Sequence, residues 1–277
     1  MKLAVLADIH ANFASLQTVA EHIETWQPDW VVVAGDIVNR GPRPVACLRF
    51  VQEKQLHNGW LTVRGNHEDY VISCSAPDAP NCGPEYEIYR TGYWIYQRLN
   101  GDVAALEAMP FKQSLQTPNG NEARITHASM RGNRDGIYPE TTDDELRQQI
   151  QPPAALLCVG HTHRPLIRQI DETLVVNVGA AGLPFDGDRR ASYAQLTWQQ
   201  GKWNAKIIRL GYDRQQTERD FYESGFMTES GALAPLILDE FYTARSRIYQ
   251  WAEKYEAAVL VGEMTIEKSV EEFLLEL

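Results

Sequence analysis

The sequence predicts an α/β fold with α+β character, a four-layer αββα sandwich in which two mixed β-sheets pack together between outer helices. Two observations support this fold. The first half alternates strand-like and helix-like runs, and the second half contains strand-like runs in quick succession. A third observation locates the ligand site, because several strand-like runs end directly in side chains of the metal-binding type. In open α/β sheets, ligands bind at the carboxyl ends of the strands.

The first third of the chain alternates strands and helices. Residues 3–7 form the first predicted strand, and residues 16–23 carry apolar side chains at helical spacing. Residues 31–34 are continuously apolar and run into Gly-Asp, which indicates a short strand buried on both faces that ends in a carboxylate. A second helix is predicted around residues 45–51, and a third strand at residues 60–64.

Residues 70–116 change in character and are predicted to form a helical cap that lines the substrate pocket. A cluster of Pro, Asn and Gly between residues 77 and 84 interrupts the helical segments, and closely spaced aromatic side chains favour a helix core over a base-stacking platform. Strands return after the cap, with a hairpin turn predicted at Gln200-Gly201. They are predicted at residues 123–126, 155–159, 165–170, 174–178, 192–198 and 202–210.

The chain beyond Tyr212 is predicted to be helical. Apolar side chains at steps of three and four from Ile237 to Val259 describe one long helix, and a shorter helix begins near Ile266. We therefore predict a domain over residues 1–212 that contains the cap, and a C-terminal helical extension over residues 213–277. The extension is expected to pack on the domain, and a homodimer formed through its helices is the alternative.

Composition limits the classes of partner. Lys and Arg number 26 and Asp and Glu number 37, and the net charge of −11 argues against an extensive nucleic-acid surface or an anionic membrane. The first apolar run ends at Asp8, before it reaches the length of a signal-peptide core, and no run approaches a membrane span. A cytoplasmic location is expected. The four cysteines show no CxxC spacing and are expected to be unpaired.

The candidate site residues come directly after predicted strands, and they include five of the seven histidines. Residues two apart on an extended segment point to the same side, so Asp8 with His10, and His161 with His163, can each form part of one cluster. Mixed carboxylate, imidazole and amide donors suit divalent Mn, Fe, Zn, Ni or Co. The set comprises Asp8, His10, Asp36, Asn66, His67, His127, His161 and His163.

The ordered motifs resemble the five-part signature of the calcineurin-like metallophosphoesterases. These motifs are Asp8-x-His10, Gly35-Asp36, Gly65-Asn66-His67-Glu68, His127 after a strand, and Gly160-His161-x-His163. Asn177-Val178-Gly179 and the run at residues 187–193 further resemble the small prokaryotic branch of this family. That branch includes broad phosphodiesterases and diadenosine-polyphosphate hydrolases.

The resemblance implies two metal ions with Asp36 as their shared ligand. It implies that one ion is held by Asp8, His10, Asp36 and His163. It implies that the other ion is held by Asp36, Asn66, His127 and His161. Ions about 3.5 to 4 Å apart need a shared anionic ligand, and a water that bridges them can become hydroxide near neutral pH and attack phosphorus.

Three further residues are assigned to the substrate by the same resemblance. His67 is expected to stabilise the phosphoryl oxygens or to protonate the leaving oxygen, with a role in orienting its neighbours as the alternative. Arg40 occupies the position at which phosphoprotein phosphatases and symmetrical dinucleotide hydrolases of the family carry an arginine that binds phosphate. Asn39 precedes it, where those relatives usually carry an aspartate. Asn12 is expected either to contact phosphate or to cap the following helix.

The function predicted from the sequence is therefore hydrolysis of a small phosphate ester, a phosphodiester or a dinucleotide polyphosphate. A serine/threonine protein phosphatase is an alternative, because Arg40-Gly41 and the Gly-Asn-His-Glu run also occur in that branch. A nuclease is disfavoured by the net charge of −11. A non-catalytic scaffold is the contrasting class, since a retromer subunit of this fold has a degraded metal site, whereas this chain keeps the complete set.

Overall fold

Two five-stranded mixed sheets form the centre of the protein in the computed structural model, which describes all 277 residues. The strands are β1 (Lys2–Leu6), β2 (Trp30–Ala34), β3 (Leu61–Val63), β4 (Lys112–Gln116), β5 (Glu122–Thr126), β6 (Leu156–Val159), β7 (Leu166–Ile170), β8 (Thr173–Asn177), β9 (Ala191–Gln199) and β10 (Lys202–Leu210). One sheet has the order β10-β9-β1-β2-β3 and the other has the order β4-β5-β6-β8-β7. The predicted αββα fold is confirmed.

Thirteen helices surround these sheets. They are α1 (Phe13–Trp26), α2 (Pro44–Asn58), α3 (Asn66–Ser73), α4 (Gly83–Ile88), α5 (Arg90–Arg98), α6 (Ala104–Glu107), α7 (Asp143–Gln149), α8 (Arg214–Glu223), α9 (Phe226–Glu229), α10 (Ala234–Thr243), α11 (Arg247–Trp251), α12 (Ala257–Leu260) and α13 (Ile266–Leu275). A π-helical turn, Ala252–Glu256, joins α11 to α12.

Strand periodicity explains how the two sheets pack. In β1, Leu3 and Val5 enter the core between the sheets, whereas Ala4 and Leu6 enter the core beneath the helices. Successive side chains of a strand point to opposite faces, so a strand buried on both sides must be apolar throughout. Helix α7 packs on the outer side of the second sheet through Leu146. The continuous apolar runs in the sequence therefore belong to central strands.

The hairpin between β9 and β10 has the predicted turn. Gln200 and Gly201 both adopt left-handed backbone conformations, with φ of 51° and 78°. Two consecutive residues with positive φ match the type of two-residue turn that follows the twist of a hairpin. Gly201 takes this conformation without the steric cost that a Cβ would bring. The turn closes the antiparallel pairing of two nine-residue strands.

Two segments of the middle region differ from the prediction. The helical cap ends at Glu107, and residues 112–116, which were assigned to it, form the edge strand β4. Only Leu115 of this strand is buried, so its polar sequence carried no alternating apolar signal. Helix α7 was not predicted; the Thr142 side chain caps its first turn by accepting the Glu145 amide.

The prediction of one long helix from residue 237 to residue 259 was wrong. Helix α10 ends at Thr243, and Ala244 directly after it adopts a left-handed conformation with φ of 53°. The buried Glu240 carboxylate accepts the amides of Arg247 and Ile248 at 2.8 and 2.9 Å, which starts α11 in a new direction. The apolar seam itself is buried as expected, except for the half-buried Ile248. Spacing alone therefore identified the buried face but not the break.

The C-terminal segment shares the core of the first sheet. Phe221, Phe226 and Phe241 belong to the same buried cluster as α1 and α2. Arg43 at the start of α2 forms an ion pair with Asp220 of α8 at 2.6 Å. The extension thus packs directly against the strand-helix-strand units that carry the candidate site, while the domain boundary at residue 212 and the homodimer stay predictions.

Two simpler expectations concern the cysteines and the membrane. None of the four cysteines is paired with another. No helix combines the length and the apolar character needed to cross a bilayer. The cytoplasmic location stays a prediction.

Replacing Phe241 with Ala tests the attachment of the extension. Phe241 is 4% exposed and contacts the ring of Phe221. We expect the free energy of unfolding to fall by about 3 to 5 kcal/mol, the usual cost of truncating a buried phenylalanine. Urea denaturation measures it. Leu56→Ala, at a side chain that is 78% exposed, is the control and should change little. Equal, small effects of both substitutions would contradict this packing.

Candidate metal centre

The candidate residues lie in loops, or in the first turn of α3, at the carboxyl ends of strands from both sheets. Asp8 follows β1, Asp36 follows β2, and His161 and His163 follow β6. All four adopt left-handed backbone conformations, with φ of 54°, 56°, 67° and 56°. Such conformations cost about 1 to 3 kcal/mol each for residues other than glycine and persist only where the surroundings enforce them. Their concentration at one edge identifies this edge as the candidate site.

The structure brings together the four predicted ligands of the first ion. The ligand atoms of Asp8, His10, Asp36 and His163 all lie within 4.8 Å of one another, and all four residues are buried. The Nε2 atoms of His10 and His163 are 3.1 Å apart, and His163 Nε2 is 3.4 Å from Asp8 Oδ1. Two carboxylates and two imidazoles therefore converge on one point.

The four predicted ligands of the second ion converge as well. His127 Nε2 lies 3.3 Å from Asp36 Oδ2 and 2.9 Å from Asn66 Oδ1. His161 Nδ1 lies 2.8 Å from the same amide oxygen and 3.2 Å from His127 Nε2. Asp36 belongs to both groups, and the His161 backbone amide also donates to Asp8 Oδ2 of the first group at 2.9 Å.

Asp36 Oδ2 is the atom common to both groups. It is buried and has no hydrogen-bond partner, whereas Oδ1 accepts the His67 amide at 2.9 Å. Oδ2 also lies 3.6 Å from His10 Nε2. A buried carboxylate oxygen without a donor is costly unless a cation neutralises it. The donor set and this orphaned oxygen fit divalent metal ions.

Backbone carbonyls orient the imidazoles toward these points. His10 Nδ1 lies 3.2 Å from the Asn39 carbonyl oxygen, His127 Nδ1 lies 2.9 Å from that of Ala34, and His163 Nδ1 faces that of Leu183. A proton on Nδ1 that is donated to a carbonyl leaves the Nε2 lone pair free for a metal, which is the usual arrangement of histidine ligands. The tautomers assigned from these contacts thus suit metal binding.

The pKa directions of His10, His161 and Asp36 agree with this arrangement, whereas that of His127 does not. Burial, followed by the neighbouring His163, holds the pKa of His10 well below its usual value, and burial followed by His127 lowers the pKa of His161 to about 3. Burial opposes ionisation of Asp36, but nearby histidines, His127 first, hold its pKa well below the usual range. Burial lowers the pKa of His127, but the Asp36 carboxylate outweighs burial and raises this pKa to about 10. His127 therefore has to lose a proton to bind a metal, since the neutral imidazole is the ligand form.

Glu68 holds the Asp36 loop in place, and the sequence reasoning gave it no role. Its two buried carboxylate oxygens accept the amides of Asp36, Ile37 and Gly65 at 2.8 Å and that of Val38 at 3.2 Å. Glu68 is the third residue of α3, a position typical of a capping box, and this pattern is the signal in the sequence from which its role could be predicted. Because Glu68 collects the amides of two loops, it fixes Asp36 relative to Asn66.

Gly65 permits the close approach of these two loops. A Cβ at this position would lie 2.1 Å from Asp36 Oδ1 and 2.6 Å from the Asp36 backbone nitrogen. No side chain fits at those distances, so any other residue would displace the carboxylate.

His67 and Arg40 lie together beside the candidate metal ligands. Asn39 Oδ1 accepts the Arg40 amide at 2.8 Å, which turns the Asn39 NH₂ group toward His67 Nδ1, also at 2.8 Å. His67 Nδ1 is therefore an acceptor, and the neutral ring carries its proton on Nε2. His67 Nε2 lies 4.0 Å from Asp36 Oδ2. Asn39, which stands where the relatives usually carry an aspartate, thus selects the tautomer of His67.

Asn12 has the helix-capping role, one of the two roles expected for it. Its Oδ1 accepts the Ser15 amide and the Thr217 hydroxyl, and its Nδ2 donates to the Gly182 carbonyl and Tyr212 Oη. These bonds show that Asn12 caps α1, and a contact with phosphate stays a prediction. The capping alternative describes the geometry.

A profile of the calcineurin-like phosphoesterase superfamily domain matches residues 1–201. The chain belongs to the calcineurin-like phosphoesterase superfamily. This phosphoesterase is accordingly a hydrolase that acts on phosphate esters. A crystal structure of a metallophosphoesterase from Sphaerobacter thermophilus has the same fold, with a TM-score of 0.67 and 24% identity. The match covers 88% of this chain and 100% of the Sphaerobacter chain.

Three curated relatives cover different shares of the phosphoesterase. An uncharacterized protein of Methanocaldococcus jannaschii is 25% identical over 76% of this chain and 88% of its own length. Serine/threonine-protein phosphatase 1 of Salmonella typhimurium is 30% identical over 45% of this chain and 54% of its own. The symmetrical bis(5'-nucleosyl)-tetraphosphatase of Actinobacillus succinogenes is 34% identical over 27% of each. The two relatives with named activities thus match this chain over only part of their lengths.

Glu68→Gln tests whether this carboxylate organises the phosphoesterase site. An amide would place an NH₂ group against backbone donors, so we expect the free energy of unfolding to fall by about 2 kcal/mol or more. Zinc binding, followed by calorimetry, should weaken as well because Asp36 loses its support. Glu53→Gln, at an exposed position of α2, is the matched control. Unchanged stability and metal affinity in Glu68→Gln would show that the loop is held in another way.

Proposed function

We propose that the protein hydrolyses small phosphate esters, phosphodiesters or dinucleotide polyphosphates, with two divalent metal ions. The observation that carries this proposal is Asp36 Oδ2, a buried oxygen that faces two converging groups of ligands and has no hydrogen-bond partner. Asp8, His10 and His163 would complete one ion site with it, and a second set of three would complete the other. That second set is Asn66, His127 and His161.

Each part of the site has a distinct task in this proposal. When bound, the two ions would supply Lewis-acid activation of the phosphoryl group and a water acidic enough to attack it near neutral pH. Arg40 presents a planar guanidinium that suits phosphate oxygens. His67, with its proton on Nε2, donates a hydrogen bond to a phosphoryl oxygen or transfers that proton to the leaving oxygen.

A serine/threonine protein phosphatase is the second candidate. The Salmonella relative that carries that name supports it, although the match covers 54% of that relative. The two candidates differ in the ester that they cleave, because a protein phosphatase acts on a phosphomonoester. A scaffold would keep the metals and cleave neither ester.

The first functional test compares bis(p-nitrophenyl) phosphate with p-nitrophenyl phosphate as substrates of the Mn-loaded protein. We expect the diester to be cleaved, and we expect Asp36→Asn to lower turnover by orders of magnitude because it removes the shared anion. Asp78→Asn, an exposed substitution in the cap, should keep full activity. Monoester preference would favour the phosphatase, and full activity of Asp36→Asn would contradict the shared role of this carboxylate.

Asn39→Asp tests how His67 is tuned. Burial, the largest factor, and the Arg40 charge hold the pKa of His67 well below its usual value, although Asp36 opposes them. An aspartate at position 39 would accept a hydrogen bond from a protonated Nδ1 and favour imidazolium, so we expect the His67 pKa to rise by about 1 to 3 units. Histidine NMR titration of the Zn-loaded protein measures it. Asn204→Asp, exposed on β10, adds the same charge as a control; an equal shift in both variants would contradict the direct contact.

A further inference from the structure

A cavity of about 230 Å³ opens beside the proposed catalytic groups, between the cap and the C-terminal helices. Arg40, His67 and Asn39 form its polar lining next to the metal centre. The remaining lining is mostly apolar and comes from the cap and from α10 and α11. An ester whose phosphate lies at the metal centre would therefore direct its organic group into this cavity.

Aromatic rings form a large part of that apolar lining. Tyr70, Tyr89 and Tyr249 all line the cavity, and the last two are 40% and 60% exposed. The Tyr70 ring is already covered, with Arg134 4.6 Å from its centre and Tyr89 at 5.6 Å. Tyr89 and Tyr249 keep large exposed areas next to reactive groups, where an aromatic ligand gains most from ring contacts.

The volume and the charge of the cavity limit the kind of ligand that it can bind. A dry cavity of about 150 Å³ holds benzene, whereas drug-sized ligands occupy about 300 Å³ or more, so about 230 Å³ suits one ring system. Glu256 is the only carboxylate in the lining, and it disfavours a further phosphate while offering an acceptor to an amino group on a ring. Both features favour a compact aromatic group over a second phosphate.

We propose that this cavity binds one flat aromatic ring of the ester group, and that the C-terminal extension selects the substrate in this way. Tyr249 and Glu256 lie beyond residue 201, where the family match ends, so this selection would belong to this chain rather than to the shared domain. The inference rests on the proposed function, because it takes the metal centre as the phosphate site.

The test is calorimetric binding of phenylphosphonate and methylphosphonate to the Mn-loaded protein. The two probes carry the same phosphonate group and differ in the ring, and neither is hydrolysed. We expect phenylphosphonate to bind about tenfold tighter or more, as burial of one ring implies. Tyr249→Ala should shrink the ratio of the two affinities. Tyr222→Ala, at a tyrosine of α8 that is 58% exposed and outside the cavity, should keep the ratio.

The outcomes separate this inference from the proposed function. Equal binding of the two probes would overturn the ring site and leave the phosphate site in place. Binding of neither probe would overturn both. If the ring is preferred, adenosine 5'-monophosphate then distinguishes a nucleobase from a simple aryl ester as the natural source of the ring, and Glu256→Gln should weaken only the ligand whose ring carries an amino group as N–H donor.

A second inference comes from Glu240, a fully buried residue of α10. Its Oε1 accepts the amides of Arg247 and Ile248, but its Oε2 is buried without a hydrogen-bond partner. That free oxygen lies 3.8 Å from an NH group of Arg40, whose side chain is 19% exposed. A buried carboxylate needs a cationic partner, and a guanidinium has enough donors to face both a carboxylate and a phosphate.

We infer that Glu240 is a positioning residue that aims Arg40 into the cavity. Its test is binding of inorganic phosphate to the Mn-loaded protein in a double-mutant cycle. Glu240→Gln keeps an acceptor for the amides that start α11 and removes the charge that faces Arg40. We expect phosphate binding to weaken about tenfold, within the range for hydrogen bonds to charged groups. In the Arg40→Ala background, Glu240→Gln should change phosphate affinity no further.

The cycle distinguishes positioning from a general structural role. If Glu240 only stabilises the helix break, urea denaturation will show the same loss of stability in both backgrounds, and Glu240→Gln will change phosphate affinity by the same factor in both. An equal loss of phosphate affinity with and without Arg40, or no loss in either, would overturn the inference. With a hydrolysed ester, the positioning role predicts a higher KM with a smaller change in kcat.

Discussion

The structure of the site depends on the position of one carboxylate, that of Asp36. Its Oδ1 is fixed by the His67 amide, and its backbone and the two residues after it are fixed by Glu68. The remaining oxygen points between two groups of ligands drawn from both sheets. Left-handed backbone at the strand ends brings these groups together, and the buried bonds of Glu68 counter the strain.

The rest of the chain divides into parts that build this centre and parts that restrict access to it. The two sheets and their short loops supply all the proposed metal ligands within the family domain. The cap and the C-terminal helices supply the apolar side of the adjoining cavity, and Glu240 reaches Arg40 from α10. The break after α10 places Tyr249 on a separate short helix at that cavity.

The sequence was most informative where local pattern and tertiary placement coincide. Strands buried on both faces are continuously apolar, and ligands at their ends follow directly, so the sandwich and the eight strand-end residues were predictable. Edge strand β4 is polar and lacked such a signal. The contacts of Glu68, Asn39 and Glu240 join residues distant in sequence, and no local pattern shows which buried polar groups will meet. Spacing also missed the helix break at Ala244, because the seam stays buried on both sides of it.

Anomalous diffraction from crystals of the Mn-loaded protein tests the central claim most directly, because it locates each ion without reference to activity. The account predicts two peaks about 3.5 to 4 Å apart, both within bonding distance of Asp36 Oδ2. Asp8, His10 and His163 should surround one peak, and the other should lie against Asn66, His127 and His161. A single fully occupied peak, or two peaks of which only one touches Asp36, would contradict it.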